Sequence, residues 1–179
     1  MKAAYQGQPG AFGHEACLSF LPAHEPVPKA AFAAVVEAVL AGETELGILP
    51  VRNSCAGPVE EVQDLLAMGK VRIVETHILP VRMHLMGIAE TRFEDVRKVV
   101  SHPVALAQCR ETLMSLGLRT EPATNTAVAA RTLAETGDPN VAVLASEAAA
   151  RIYGLTILRR DVHDRPDNAT TFSVIARHQ

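Results

Sequence analysis

Short runs rich in Val, Ile and Leu alternate with stretches of helical period along nearly the whole chain, and no other feature narrows its fold as much. Residues 2–6, 45–51, 96–101, 119–122, 141–144 and 156–160 read as strands. Residues 11–20, 31–40, 59–68, 126–135 and 146–153 read as helices, and His102-Pro103 opens one continuous helix to Leu116. Pro26-Val27-Pro28 precedes the second helix, and residues 71–86 form a long extended run that Pro80 interrupts. Strands separated by helices of this length imply an α/β protein with a largely parallel sheet covered on both faces. At 179 residues the chain suits one domain with room for two lobes.

The last strand is unusual because it starts polar. Asn168-Ala169-Thr170-Thr171-Phe172 runs into Ser173-Val174-Ile175, so hydroxyls stand at the rim of a strand whose continuation is apolar. Polar residues recur in the equivalent place elsewhere, just after strands and where helices begin: Gln6-Gly7, Arg52-Asn53-Ser54, Ser101-His102, Asn125-Thr126 and Ser146. Capping accounts for part of this, since Ser, Thr and Asn satisfy free amides at helix starts. The same amides and the helix dipole also bind anions, which suits a small carboxylate-bearing ligand. Gly7-Gln8-Pro9-Gly10 after the first strand is a tight turn able to present backbone amides.

Composition removes several classes. The core has to be aliphatic, because the chain is 48% hydrophobic but only 4% aromatic. A formal charge of −3, with no basic stretch interleaved with aromatics, gives no reason to expect nucleic acid or an anionic membrane as a partner. Cys17, Cys55 and Cys109 are widely spaced and odd in number, as reduced thiols are. The start of the sequence lacks the charged and then apolar segments of a signal peptide, and no apolar run reaches the roughly 18–20 residues of a membrane span. The expectation is a soluble, cytoplasmic protein. His77 and His84, or His163 with Asp161 and Asp164, lack metal-ligand spacing, so no metal is expected. Cys55 has no histidine partner nearby in sequence, and no phosphate loop, dinucleotide fingerprint or Gly-x-Ser-x-Gly occurs.

Taken in order, six stretches resemble the prephenate dehydratase family. Tyr5-Gln6-Gly7-Gln8-Pro9-Gly10-Ala11-Phe12 looks like its opening glycine loop, and Leu49-Pro50-Val51-Arg52-Asn53-Ser54 with Gly57 like its Pro-Ile-Glu-Asn-Ser segment. Ser101-His102-Pro103 through Gln108-Cys109 is close to the family's Ser-His-Pro helix start. Asn125-Thr126-Ala127 and Ala150-Arg151-Ile152-Tyr153-Gly154-Leu155 match two further blocks, and Asn168-x-Thr170-Thr171-Phe172 resembles its Asn-x-Thr-Arg-Phe signature.

The resemblance implies a single two-lobed domain like type II periplasmic binding proteins, with the ligand cleft between lobes. One lobe is expected to hold residues 1–80 and 159–179, the other residues 81–158. It also implies a dehydratase that turns prephenate, a dicarboxylate, into phenylpyruvate, water and carbon dioxide in phenylalanine biosynthesis, without cofactor and as a homodimer. Thr170 would serve the departing hydroxyl, as a hydrogen-bond donor rather than a strong acid. Asn53 and Gln108 would act beside it, and Ser54, Thr126, Ser101, Thr171, Phe172, Gly10 and Ala11 would line the substrate. Nothing in the sequence resembles the family's phenylalanine-sensing ACT domain, so feedback inhibition is not expected.

Three positions depart from the family pattern: Arg52 replaces its Glu, Thr171 its Arg, and Gly13 a hydroxyl residue. Arg52 with Thr171 leaves a net positive charge, which suggests that Arg52 grips a substrate carboxylate bidentately in place of the missing arginine. Other readings are an arogenate dehydratase, a decarboxylase that leaves the ring non-aromatic, and a non-catalytic carboxylate-binding module.

Overall fold

The computed structural model describes residues 1–178. In chain order the elements are β1 (Lys2–Gln6), α1 (Phe12–Phe20), β2 (Glu25–Lys29), α2 (Phe32–Leu40), β3 (Leu46–Asn53), β4 (Gly57–Pro58), α3 (Glu60–Ala67), β5 (Val71–Pro80) and β6 (His84–Gly87). A 3-10 turn at Phe93–Asp95 then leads into β7 (Lys98–Ser101). After it come α4 (Pro103–Gln108), α5 (Arg110–Ser115), β8 (Arg119–Pro122), α6 (Thr126–Thr136), β9 (Val141–Ala145), α7 (Glu147–Tyr153), β10 (Thr156–Arg159) and β11 (Ala169–Arg177). These form two compact units. The first comprises Met1–Gln8, Phe12–Val81 and the residues from Asp167 onward; the second comprises Pro9–Ala11 and Arg82–Pro166.

The first unit is built on a sheet of order β2-β1-β3-β11-β5, with β4 against β3. β1 is parallel to β2 and β3, whereas β11 runs antiparallel to both β3 and β5. One face carries Tyr5, Ile48, Phe172 and Val174 against Cys17 of α1; the other carries Leu49 and Ile175 against Val35 and Val39 of α2 and Val62 of α3. Burial of each such large side chain contributes about 1.5–3 kcal/mol. Gly47 lets α2 sit down on the sheet, since a Cβ there would come within 2.8 Å of Val35 Cγ1.

The second unit has a sheet of order β10-β6-β9-β7-β8. β7 is parallel to β8 and β9, and β6 is antiparallel to β9 and β10. Ala129, Ala130 and Leu133 of α6 and Ala149 and Ala150 of α7 pack on Met86, Val143 and Ala145. Small side chains let these helices approach the sheet closely, which is where the alanine-rich stretches go.

The structure corrects the sequence-based expectation at four points. Where largely parallel pairing was expected, each unit has a mixed sheet, because β11 and β6 enter against the direction of their neighbours. Pro26-Val27-Pro28 is a strand, tolerated at the sheet edge where β2 pairs only with β1 and two missing amides cost little. Residues 159–166, expected with the first lobe, lie in the second unit, where Val162 N–H donates to Met83 O at 2.9 Å; Pro9–Ala11 also belong there. The continuous helix expected over 103–116 is two helices, broken at Cys109 (φ −115, ψ 10).

Candidate active site

The polar mouth of β11 lies against the end of β3, where Thr170 pairs with Asn53 and Thr171 with Arg52. Between these pairs and the next one, Phe172 with Pro50, the register shifts, leaving Val51 as an extra residue on β3. Strand side chains alternate between faces, so an extra residue reverses the parity of everything after it. Ile48 points to the Phe172 face and Leu49 and Val51 to the opposite one. Uninterrupted alternation would turn Asn53 away from Thr170. The bulge at Val51 brings the two side chains to one face.

They meet there in a compact network. Asn53 Nδ2 donates to Thr170 Oγ1 at 3.0 Å, to Asn168 Oδ1 at 2.9 Å and to Ala169 O at 3.2 Å. Asn53 Oδ1 accepts from the Cys55 and Ala56 amides, both at 2.9 Å, which fixes which end of the carboxamide faces Thr170. Thr170 and Asn168 are buried. Because Thr170 Oγ1 already accepts from Asn53, its own hydrogen is available for donation, and that hydrogen meets no acceptor among the described residues. Such an arrangement makes an oriented, polarised donor.

Ser54 closes the network from the outside. Its hydroxyl donates to Asp167 O at 3.0 Å and accepts from Ala169 N–H at 2.9 Å, while its amide donates to Ala169 O. It clamps residues 167–169 to the β3 turn. Phe172 is a core residue, 2% exposed among Tyr5, Ile48 and Leu79. Arg52 and Thr171 face each other across the two strands, and alternation puts both on the side away from Thr170 and Asn53. The structure therefore does not bring Arg52 together with Thr170.

The remaining residues singled out in the sequence belong to the second unit. Ser101, fully buried, donates to Leu144 O at 2.8 Å and ties β7 to β9. Asn125 caps α6 through the Ala127 and Val128 amides, and the hydroxyl of Thr126, at the first turn of that helix, makes no hydrogen bond among the described residues. Gln108 ends α4, half-buried, with its carbonyl accepting from Asp164 N–H at 2.8 Å.

The glycine loop is held from α7. Ser146 Oγ donates to Gly10 O at 2.7 Å while accepting from Ala149 N–H, and Tyr153 Oη donates to Pro9 O at 2.6 Å. Gly10 has φ +89, and a Cβ on it would lie 2.9 Å from the Ala149 Cα, so only glycine fits. Ala11, beside it, is buried.

Sequence reasoning placed Asn168 in a signature without assigning it a task, although its side-chain oxygen accepts from Asn53 within the cluster. Asp164 and Tyr153 were likewise not anticipated as holding site segments. The only available signal for them was their position inside matched or adjoining blocks, since their partners are 52 and 144 residues distant.

Burial pushes the pKa of the Cys17 and Cys109 thiols up to about 12, and the Asp164 charge adds to the effect at Cys109. Among the described residues no cluster of His, Cys, Asp and Glu could hold a metal ion, and no helix is long and apolar enough to cross a membrane.

Residues 3–179 match the prephenate dehydratase family. The chain is 38% identical over 177 residues to arogenate dehydratase/prephenate dehydratase 1, chloroplastic, of Arabidopsis thaliana, covering 99% of this chain and 45% of the relative. It is 38% identical over 174 residues to a bifunctional N-acyl-homoserine lactone acylase/prephenate dehydratase of Komagataeibacter europaeus, covering 97% of this chain and 62% of that protein. The chain thus spans about half the length of the first of these curated relatives. The solved prephenate dehydratase of Arthrobacter aurescens, in complex with L-Phe, superposes with a TM-score of 0.93 at 25% identity, covering all of this chain and 61% of that one. A periplasmic substrate-binding protein of Coxiella burnetii, with a TM-score of 0.51 at 13% identity over 99% of this chain and 84% of that one, shares the fold alone. The architecture is the two-lobed α/β fold of type II periplasmic binding proteins.

Proposed function

The chain belongs to the prephenate dehydratase family, and from that premise we propose that it dehydrates and decarboxylates prephenate to phenylpyruvate. The single observation that carries the reading is the Asn53–Thr170 hydrogen bond, which leaves the Thr170 hydroxyl as a donor. In the reaction the bond from ring carbon to hydroxyl oxygen breaks, and a hydrogen bond to that oxygen stabilises the charge developing on it. The bond from the ring to its carboxylate breaks at the same time, its electron pair enters the ring, and carbon dioxide leaves. The oxygen takes up a proton and departs as water, so substrate and products balance with no oxidant, reductant or cofactor. Aromatisation provides the driving force. An alcohol is too weak an acid to protonate hydroxide's precursor outright, so Thr170 orients and stabilises while solvent completes the proton count.

In this proposal Asn53 and Asn168 hold Thr170, and Ser54 locks the turn that carries Asn53. Gln108, Thr126 and the glycine loop around Gly10 and Ala11 bind the ring and its carboxylates. Ser101 contributes through the strand end that it ties down. Arogenate, with an amino group where prephenate has a keto oxygen, presents the same ring chemistry and would give phenylalanine. A homodimer in the cytoplasm belongs to the same proposal.

The test is direct. The purified chain is incubated separately with prephenate and arogenate, and products are followed by ultraviolet absorbance and mass. Phenylpyruvate supports the proposal as stated, and phenylalanine alone moves the substrate to arogenate. A non-aromatic keto acid makes the protein a decarboxylase, and binding without turnover makes it a carboxylate-binding module. The Komagataeibacter relative motivates a further arm, an N-acyl-homoserine lactone, whose hydrolysis would establish a second activity.

A further inference from the structure

The helix break before α5 has an unusual cause. In a continuous helix Thr112 N–H would donate to Gln108 O, and Glu111 N–H to Ala107 O. Here Asp164 occupies that ladder. Its amide donates to Gln108 O at 2.8 Å, while its carboxylate accepts from Thr112 N–H and Thr112 Oγ1, both at 2.9 Å, and from Glu111 N–H at 2.9 Å. Cys109, the N-cap of α5, makes no side-chain cap, so a carboxylate from another segment does the capping. A group inserted into the helix ladder is a recognised cause of such breaks.

The segment that carries Asp164 is itself fixed. Asp161 N–H donates to His84 Nδ1 at 3.0 Å, Val162 N–H to Met83 O at 2.9 Å, and Met83 N–H to His163 Nδ1 at 3.5 Å. Partial burial pushes the Asp164 carboxyl up, but the hydrogen bonds from Thr112 and Glu111 outweigh it and hold the group below the usual carboxylate range.

We infer that Asp164 is a positioning residue for Gln108: it wedges α4 and α5 apart and so sets the direction in which Gln108, the last residue of α4, presents its side chain. The inference rests on the dehydratase reading, in which Gln108 contacts substrate. Without the carboxylate, the Glu111 and Thr112 amides have the carbonyls of Ala107 and Gln108 as their nearest replacement acceptors. That is the continuous helix the sequence alone favours, and forming it rewinds the chain at Gln108.

The experiment compares Asp164→Ala, Asp164→Asn and Gln108→Ala with the unaltered chain. It measures kcat and KM on whichever of prephenate or arogenate is turned over, and amide hydrogen exchange across residues 103–116. Asp164→Ala is expected to lose on the order of 10²-fold in kcat/KM, mostly in kcat, as misplacement of an orienting group does. Its amides at 109–112 should gain the protection of an unbroken helix. Asp164→Asn keeps one oxygen for Thr112 and should recover part of the loss, which checks the case in which the alanine variant folds poorly. Asp164→Ala at unaltered kcat/KM beside an impaired Gln108→Ala would overturn the inference. So would equal losses in the Ala and Asn variants with no change in exchange at 109–112. An unaltered chain inactive on both substrates would instead overturn the dehydratase reading. The exchange comparison would then still decide whether Asp164 holds the break.

Discussion

Asn53→Asp tests the site at its most sensitive atom. The substitution keeps shape and volume and exchanges the Nδ2 donor for an oxygen. Nδ2 carries two hydrogens and serves three acceptors, Thr170 Oγ1, Asn168 Oδ1 and Ala169 O, so one hydrogen is shared. An aspartate still accepts from the Cys55 and Ala56 amides, and the turn that shapes the site is retained. Its other oxygen would face three acceptors. Thr170 can relieve this by turning its hydroxyl hydrogen toward the carboxylate, and in doing so it would stop being the donor that the proposed mechanism offers the substrate. Removing one preorganised donor of this kind costs about 10²–10³-fold in kcat. The stability cost of opposing a buried acceptor is on the order of 1–3 kcal/mol. Protonation of the new carboxyl restores a donor, so the residual activity of Asn53→Asp should rise as pH falls, opposite to the trend of any carboxylate needed in its charged form. Steady-state kinetics from pH 5 to 8, with thermal melts at each pH, would measure all three. Unaltered kcat in a folded Asn53→Asp variant would refute the reasoning, because the Thr170 hydroxyl could then not be the donor that Asn53 orients.

Two further outcomes follow from the geometry. Arg52 and Thr171 are cross-strand partners on the face away from Thr170, so Arg52→Glu with Thr171→Arg should add an ion pair worth about 0.2–1 kcal/mol in melting experiments. Turnover should stay close to that of the unaltered chain; a large loss in Arg52→Ala would instead support a direct grip on substrate. Burial lowers the pKa of His84 against the opposing pull of Asp161, and its Nδ1 must stay unprotonated to accept the Asp161 amide. The unfolded chain therefore binds this proton first, and the stability is fully present above about pH 6.5 and declines as pH falls below it. Chemical denaturation at pH 7.5 and 5.5 should show this slope, and His84→Gln should flatten it.

Much of the fold was legible because it rests on local pattern. Alternation of apolar runs with helical period located nearly every element, and turn residues marked most of the ends. What escaped has a common physical origin in contacts from distant segments. The 103–116 stretch has the propensity of one helix, and it is broken by a carboxylate 52 residues from Thr112. β2 was not anticipated because its two prolines argue against a strand interior, and only its place at the sheet edge makes them tolerable. The direction of β11 was equally hidden. Strand content is local, whereas orientation depends on which edge the chain returns to.

The site shows the same division more sharply. The residue types were readable: Asn53, Ser54, Asn168 and Thr170 stood out as polar groups at strand ends. Their relation was not, because it depends on parity. Counted along β3 from Ile48, which faces Tyr5 and Phe172, alternation assigns Arg52 to the face of Thr170 and sends Asn53 to the other side. On that count Arg52 is a natural grip for the substrate and Asn53 a structural turn residue. The extra residue at Val51 exchanges the two. Pro50, with no N–H to give the ladder of an interior strand, hints locally at an irregularity, but which residue becomes the extra one depends on how β3 is matched against β11. A single residue of register therefore decides which side chain meets Thr170. The positive charge at position 52 can consequently depart from the family pattern without entering the hydrogen-bond network that orients the Thr170 hydroxyl.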